Sequence, residues 1–339
     1  MKEFGSDFHY IKLGDNAKET IGHIHTEASY YASGRHALID LYKKMRWKRL
    51  WVPVYFCYEV LGSLERAGVN VAFYEDYPLF NESETVKKLP FEKGDALFRV
   101  NYFGLRTKRS NNAIPVPVVE DHTHDLIGEW AINSDADWCI ASLRKTLPLA
   151  EGGMLWSPKG YKIEKALNTT ACNERLASIR WNAMRQKTLY LDGKIANKTE
   201  YRTAMISIEE EFDSIEVSAL DHDTSDYIKR FDTKQWYERK QDNWAIFKDL
   251  RADFFTVLEP EGSGCYPFSL TLLFKDEARR NTFRKALIGH DVYPAILWRI
   301  PAGKQTVVTD FADRMLSIHC DARYSEEDMI QLRSIILEC

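Results

Sequence analysis

Short apolar runs separated by segments with helical periodicity recur along the first half of the chain. The runs lie at 50–54, 69–74, 96–101, 116–119, 138–141 and 154–156. They are rich in Val and aromatic residues, so they predict buried strands. Segments that begin at Gly34, after the N-cap candidate Ser33, and at Tyr58 predict helices. Because alternating strands and helices form parallel sheets covered on both faces, the pattern predicts a three-layer α/β/α fold with a mainly parallel sheet.

The last third of the chain predicts a smaller second unit. Residues 161–235 are charged and mostly helical in pattern. Further elements are predicted as helices at 238–255, 276–288 and 325–337 and as strands at 266–274 and 315–319. We therefore expect a large domain with an N-terminal segment at 1–235 and a small C-terminal α+β domain at 236–339.

Composition restricts the partners and the location of the protein. The chain has 339 residues, 45% of them hydrophobic, and a net charge of −4, so a basic surface for nucleic acid is not expected. The first residues are polar, and no apolar run is long enough to cross a bilayer, so neither a signal peptide nor a membrane span is predicted. Six cysteines are scattered without a CxxC pair, which favours reduced thiols and a cytoplasmic location.

The segment 116–153 carries the most informative polar residues. One apolar run ends in Asp121, the next ends just before Lys145, and the turn Glu151-Gly152-Gly153 follows. In open α/β sheets, ligands bind beyond the carboxyl ends of the strands. An acid and a lysine at such ends suit pyridoxal phosphate, which needs a lysine for its Schiff base and an aspartate to keep its ring nitrogen protonated. The residues thus indicate a site for this cofactor.

Several short motifs, taken in order, carry a family resemblance. They are SGRHAL at 33–38, VPVYFC at 52–57, VNYFG at 100–104, ED at 120–121, SLRK at 142–145 and EGG at 151–153. In this order they resemble the fold-type I pyridoxal-phosphate aminotransferases, and most closely the DegT/DnrJ/EryC1/StrS sugar aminotransferases. The resemblance covers roughly residues 20–160, and the C-terminal half matches only in its pattern of strands and helices.

The resemblance implies roles for three residues around the reactive part of the cofactor. Lys145 would form the Schiff base and, as a free amine, move the proton from the donor to the cofactor. Asp121 would hold the ring nitrogen. His124 stands where the family often has a Gln or a His near the phenolic oxygen of the cofactor. Lys145 and Asp121 are therefore the expected catalytic residues.

A second set of residues is implied as the phosphate cup. Ser33, Gly34, Arg35 and His36 open the first predicted helix, whose N terminus offers free N–H groups and the positive end of its dipole. Arg35 would add a charge-assisted hydrogen bond. Ser142 stands three residues before Lys145, a spacing that several aminotransferases of this fold use for another phosphate contact.

The resemblance also implies residues that touch the ring and the substrate. The usual position of the ring-stacking side chain falls near Cys57, and the aromatic Phe56 beside it is our candidate for stacking. Asn101 and Tyr102 end a predicted strand and are expected to line the substrate side. Arg299 follows the apolar run 292–298 and is a candidate for binding the carboxylate of the amino donor.

The implied activity is a transamination. The amino group of a donor such as glutamate would pass to a keto-sugar nucleotide or a similar keto acceptor, in a homodimer with the site at the subunit boundary. One departure concerns the Asn-Tyr-Arg segment with which relatives reach the phosphate of the neighbouring subunit. That segment is not clear here, and Asn173-Glu174-Arg175 is a poor substitute.

Two other functions stay open on the sequence. Asp121-His122-Thr123-His124-Asp125 offers carboxylate and imidazole ligands, so a metal-dependent hydrolase is possible if both histidines face one ion. That function leaves Lys145 and the Gly-Gly turn unexplained, and no metal is expected. The other alternative is a non-catalytic protein that keeps the aminotransferase fold as a binding or regulatory module.

Overall fold

The computed structural model describes residues 3–14, 17–162, 168–212, 216–301, 303 and 306–339. The strands are β1 (Phe4–Gly5), β2 (Ser29–Tyr31), β3 (Arg49–Pro53), β4 (Val71–Tyr74), β5 (Asp95–Val100), β6 (Val118–Asp121), β7 (Trp138–Ser142), β8 (Gly153–Trp156), β9 (Phe255–Val257), β10 (Leu270–Phe274), β11 (Val292–Tyr293) and β12 (Met315–Ile318).

The helices alternate with these strands in the first half of the chain and cluster between β8 and β9. They are α1 (Ile21–Ile24), α2 (Gly34–Met45), α3 (Tyr58–Arg66), α4 (Ser83–Lys87), α5 (Glu129–Ile132), α6 (Ala171–Leu191), α7 (Thr199–Phe212), α8 (His222–Ile228), α9 (Thr233–Ala245), α10 (Glu277–Gly289), α11 (Thr306–Arg314) and α12 (Glu326–Glu338).

A seven-stranded sheet organises the larger part of the molecule. Its strand order is β2-β8-β7-β6-β5-β3-β4, and the pairs from β7 to β4 are all parallel. Strand β8 alone runs antiparallel to both of its neighbours. Parallel strands all end at the same edge, so the carboxyl ends of β6 and β7 lie side by side. The predicted mainly parallel sheet is confirmed.

Both faces of this sheet are buried, as the near-continuous apolar runs predict. Alternate residues of each strand enter different cores, because successive side chains point to opposite faces. Val119 and Ile140 pack in the core that includes α2 and α3. Val118 and Cys139 pack in the core that includes aromatic residues of α6, α8 and α9. Helices therefore cover the sheet on both sides.

A second sheet is formed by the C-terminal part of the chain. Its antiparallel order is β12-β10-β9, and its core contains side chains of α10 and α12. Strand β1 pairs in parallel with β11, which ties the start of the described chain to this C-terminal part. The division into domains at 1–235 and 236–339 stays a prediction.

Two predicted elements have different bounds in the structure. The helix predicted at 238–255 begins earlier, at Thr233, where the side chain of Asp232 accepts a hydrogen bond from the N–H of Gln235. It ends at Ala245, and the chain continues in turns that still bring Phe247 into the C-terminal core. The strand predicted at 266–274 begins only at Leu270. In the described parts of the chain, no helix combines the length and hydropathy needed to cross a membrane.

Candidate active site

A cavity of about 460 Å³ opens where β6 and β7 end and α2 begins. We call it the cofactor cavity. The lining residues that the sequence singled out are Ser33, Gly34, Arg35, Phe56, Cys57, Asp121, Ser142, Lys145 and Arg299. These residues are spread over more than 260 positions of the sequence, from 33 to 299. The parallel topology brings them together.

Asp121 lies at the end of β6 and faces the cofactor cavity. Its Oδ1 accepts a hydrogen bond of 2.8 Å from the N–H of Thr123, which fixes the carboxyl group. The Thr123 hydroxyl accepts a 2.9 Å hydrogen bond from the N–H of Ser142 and so ties the ends of β6 and β7 together. Burial raises the pKa of Asp121, and among the described residues no lysine or arginine pairs with it. A cationic ring nitrogen would supply the missing opposite charge.

The first turn of α2 forms a cradle for an anion at one end of the cavity. The Ser33 hydroxyl caps the helix by accepting from the N–H of His36, so the N–H groups of Gly34 and Arg35 point to the open end. A Cβ on Gly34 would stand 3.2 Å from Ser142, which shows how closely the helix approaches β7. The N–H groups of this first turn, the helix dipole and the Arg35 side chain together suit a phosphate.

Lys145 follows β7 in a single turn of 3-10 helix. Protein surrounds its side chain, but the open cavity keeps it accessible to water. The adjacent Arg144 guanidinium, and then burial, lower the pKa of Lys145 to about 8. The neutral, nucleophilic amine is therefore much more abundant at neutral pH than for an ordinary lysine.

A partly buried ion-pair network holds Arg144 beside Lys145. Glu209 of α7 accepts two hydrogen bonds from Arg144, of 2.8 and 2.9 Å, and also pairs with Arg180 of α6. Although burial raises it, Arg144 and then Arg180 hold the pKa of Glu209 well below its usual value. Glu209 therefore stays ionised and fixes both arginines next to the lysine.

The lowered pKa of Lys145 predicts how its reactivity depends on pH. With a pKa of about 8, roughly a quarter of the amine is neutral at pH 7.5, against roughly 0.1% for a lysine of ordinary pKa. The rate at which cofactor-free protein takes up pyridoxal phosphate on Lys145 should rise with pH, with a midpoint near 8 and a plateau about one pH unit higher. Arg144→Gln removes the main cause of the lowered pKa of Lys145, so the midpoint of the pH dependence should move to higher pH in this variant. The control Arg175→Gln removes an exposed arginine and should leave the midpoint unchanged.

The Gly-Gly turn at 152–153 packs against the chain just before α2 and so supports the phosphate cradle. Gly152 has φ +140°, a conformation that favours glycine, and its N–H donates to the carbonyl of Ala32. A Cβ on Gly153 would overlap the carbonyl oxygen of Ser33. Glu151 anchors the turn by accepting hydrogen bonds from Asn173 and from the N–H of Asp221.

Gly153→Ala should therefore disturb the cradle. The added methyl group must push Ser33 and the start of α2 away, so we expect a loss of about 1–3 kcal/mol in the free energy of unfolding. Affinity for pyridoxal phosphate should fall as well. Chemical denaturation and a cofactor titration measure the two effects. Gly289→Ala is the control, because its Cβ would meet nothing within 4 Å, and equal losses in both variants would contradict this account.

Some predicted site residues do not reach the cavity. His36 is 2% exposed, and its Nδ1 accepts from the N–H of Ser218. His124 is 5% exposed, its Nδ1 accepts from the N–H of Phe103, and burial lowers its pKa to about 3. Its ring stacks on Trp298, which does line the cavity. The structure therefore places both histidines behind the cavity wall. In this arrangement His36 does not contact the space for the phosphate, and His124 does not contact the space for the phenolic oxygen.

Asn101 and Tyr102, which the sequence places on the substrate side, lie in the protein interior. Both are buried, with 2% and 0% exposure, and neither lines the cavity. The Tyr102 hydroxyl donates a 2.6 Å hydrogen bond to the carbonyl of Tyr55, and the Arg106 guanidinium lies over its ring. The chain turns inward directly after β5, so these side chains stabilise the core.

The cavity wall contains residues that the sequence did not single out. Phe56 is only 4% exposed and packs on Phe98 and Trp298, whereas Trp298 itself is half-buried in the wall. Arg144 and Glu209 complete the charged end. Arg144 is the sequence neighbour of Lys145 in the SLRK motif, but Trp298 and Glu209 lie far away in sequence and only the fold brings them to the cavity. Asn173, the weak match to the family's Asn-Tyr-Arg segment, is buried against Glu151 of its own chain.

The geometry predicted for a metal-dependent hydrolase is not formed. Alternation along β6 turns Glu120 and His122 away from the cavity that Asp121 faces. In the described ranges, one cluster of three potential ligands is found, formed by Glu120, His122 and Cys139, and His124 is not part of it. Glu120 already accepts hydrogen bonds from Asn111 and Ser134. The prediction of a metal site in which both His122 and His124 bind one ion is therefore wrong.

Comparison with solved structures identifies the fold. The chain has the fold of the fold-type I pyridoxal-phosphate aminotransferases, as the sequence motifs predict. The putative sugar aminotransferase Spr1654 of Streptococcus pneumoniae, in its PLP form, is 11% identical and superposes with a TM-score of 0.62 over 93% of this chain and 88% of its own.

Two other neighbours lead to the same fold. Helicobacter pylori PseC, an aminotransferase involved in the biosynthesis of pseudoaminic acid, is 13% identical, with a TM-score of 0.61 over 99% of both chains. A DegT DnrJ EryC1 StrS aminotransferase from Brucella abortus is 15% identical, with a TM-score of 0.59 over 92% of this chain and 85% of its own. No protein-family model and no curated protein sequence matches the chain. At these identities the likeness establishes the fold.

Proposed function

We propose that the protein is a pyridoxal-phosphate-dependent aminotransferase. We further propose that it moves an amino group from an amino acid, such as glutamate, to a keto-sugar nucleotide or a similar keto acceptor. The observation that carries the proposal is the placement of Asp121 and Lys145 in one cavity, at the ends of adjacent parallel strands, with a helix N terminus at its edge.

The residues of the cavity fit the cofactor. The first turn of α2, Arg35 and Ser142 would hold its phosphate, Asp121 its ring nitrogen and Lys145 its reactive carbon. Phe56 and Trp298 offer apolar surface for its ring. When bound, pyridoxal phosphate supplies a carbonyl that links to amines and a ring that withdraws electrons from the neighbouring carbon.

Each residue contributes a separate step of chemistry. Asp121, once ionised beside a cationic ring nitrogen, keeps that nitrogen protonated. Lys145 would hold the reactive carbon of the cofactor, and its free amine is the one lysine amine in the described cavity wall that could take up and return a proton. Its lowered pKa matches this use, because a base is most effective when its pKa lies near the working pH.

The choice of acceptor is supported by the neighbours. Spr1654 is a putative sugar aminotransferase, and PseC is an aminotransferase involved in the biosynthesis of pseudoaminic acid. Arg299, exposed at the cavity mouth, stays our candidate for the carboxylate of the donor. A homodimer and a cytoplasmic location stay predictions, which light scattering and cell fractionation can test.

A donor half-reaction tests the activity. Protein loaded with pyridoxal phosphate should change its visible absorbance when single amino acids are added, with release of the matching 2-oxo acid. A chelator should have no effect. A loaded protein that responds to none of the twenty amino acids would instead favour a non-catalytic binding module. Loss of activity with a chelator would favour metal chemistry.

A further inference from the structure

A second cavity, of about 430 Å³, meets the cofactor cavity at Lys145. We call it the second chamber. Arg144, Lys145 and Leu297 line both spaces, whereas Asp121 lines only the cofactor cavity, so a molecule in the second chamber would also reach Lys145. The remaining wall comes from the N-terminal segment, from α6, α7 and Lys198, from residues 293–295, and from Leu149, Phe268 and His319.

The charges of the second chamber are unequal. Besides Lys145, its wall contains four cations, Arg144, Arg180, Lys198 and Arg202, and two carboxylates, Glu3 and Asp7. Arg144 and Arg180 share Glu209. Lys198 pairs with Glu3 at 3.1 Å. The chamber thus has a surplus of positive charge beside the reactive lysine.

Among the described residues, Arg202 is the cation of the second chamber that takes no part in these ion pairs, so it is available to bind a ligand. It lies on α7 seven residues before Glu209, on the same face of the helix, and its side chain is exposed. Among the described residues it forms no ion pair. Ser6, Tyr293 and His319 line the same chamber and add polar groups that can hydrogen-bond hydroxyls.

We propose that the second chamber binds the anionic group, a carboxylate or a phosphate, of the substrate whose reacting carbon lies against Lys145, and that Arg202 is its principal contact. This inference rests on the proposed function. A carboxylate would come from the amino donor, in which case Arg202 takes the place of Arg299 as its partner, and a phosphate would come from the keto acceptor. Both are recognised by the same fork of guanidinium donors.

Titration calorimetry on the protein loaded with pyridoxal phosphate tests the inference. The probes are succinate and inorganic phosphate, and loading keeps the phosphate probe out of the cradle at α2. Arg202→Gln should weaken binding of at least one probe about tenfold, the loss typical of a charged hydrogen bond. The control Arg175→Gln removes the same charge from the outer face of α6, where Arg175 pairs with the exposed Glu211, and should change neither affinity more than about twofold.

The two probes distinguish the sources of the anion. Loss of succinate binding alone identifies the donor carboxylate, and loss of phosphate binding alone identifies a phosphorylated acceptor. Wild-type protein that binds neither probe, or Arg202→Gln that binds both as well as wild type, overturns the inference. Visible absorbance recorded before each titration shows whether the cofactor is bound. It therefore distinguishes a failure of the proposed function from a failure of the inference about Arg202. A protein that takes up no cofactor contradicts the proposed function, whereas a loaded protein without an Arg202 effect contradicts only this inference.

Discussion

Replacement of Lys145 by alanine should abolish transamination. The amine is the only lysine in the described wall of the cofactor cavity, so its loss removes both the covalent link and the group that moves the proton. General acid–base catalysis alone contributes about 10²–10⁴-fold, and we therefore expect the rate of the donor half-reaction to fall by about 10⁴-fold or more. Stopped-flow absorbance with the best donor measures this rate.

The experiment needs controls for folding and for the chemical role. Lys145→Arg keeps the charge beside Arg144 but cannot link to the cofactor, so it should be as inactive as the alanine variant. Lys159→Ala removes a surface lysine paired with Asp137 and should keep full activity. A small external amine should restore part of the activity of Lys145→Ala, because it can occupy the space and carry the proton. Activity of Lys145→Ala within tenfold of wild type would be incompatible with the proposed role.

Asp121→Asn should have the second-largest effect. Asparagine has the same shape and its carbonyl can still accept from the N–H of Thr123, so the loop at the end of β6 should keep its conformation. What is lost is the negative charge that holds the ring nitrogen protonated. Removing one group that stabilises developing charge typically costs about 10²–10³-fold in kcat, and we expect a loss of that size. The reduced cofactor should still be found on Lys145.

The matched control for this variant contacts the opposite end of the same strand, β6. Asp137 accepts a 2.8 Å hydrogen bond from the N–H of Val118, at the start of β6 and away from the cavity. Asp137→Asn makes the same chemical change and should leave kcat within about threefold of wild type. If Asp121→Asn behaves like Asp137→Asn in kcat, Asp121 does not act on the cofactor. Equal melting temperatures of Asp121→Asn and wild type would show that the loss is chemical.

Local sequence signals predict part of this site for a physical reason. Asp121 and Ser142 follow apolar runs, and the ends of parallel strands meet at one edge, so their proximity follows from the strand pattern. Ser33 is a helix cap, and capping depends on neighbouring residues alone. The alternating strands and helices likewise predict the mainly parallel sheet.

Other features depend on contacts that local patterns do not encode. Asn101 and Tyr102 also end a strand, but the chain turns into the core after β5, and they are buried. His124 is separated from the cavity by Trp298, which comes from the C-terminal part of the chain. Glu209 reaches Arg144 from α7, 65 residues further along the sequence. Side-chain direction after a strand end, and partners from distant helices, follow only from the packed structure.

The central claim is that Lys145 anchors pyridoxal phosphate in the cofactor cavity. The most direct test is the visible absorbance of the purified protein incubated with the cofactor, before and after borohydride reduction, followed by peptide mapping. The account predicts a yellow protein that reduction bleaches, with the pyridoxyl adduct on Lys145. A protein that stays colourless with added cofactor, or an adduct on a different lysine, would contradict it.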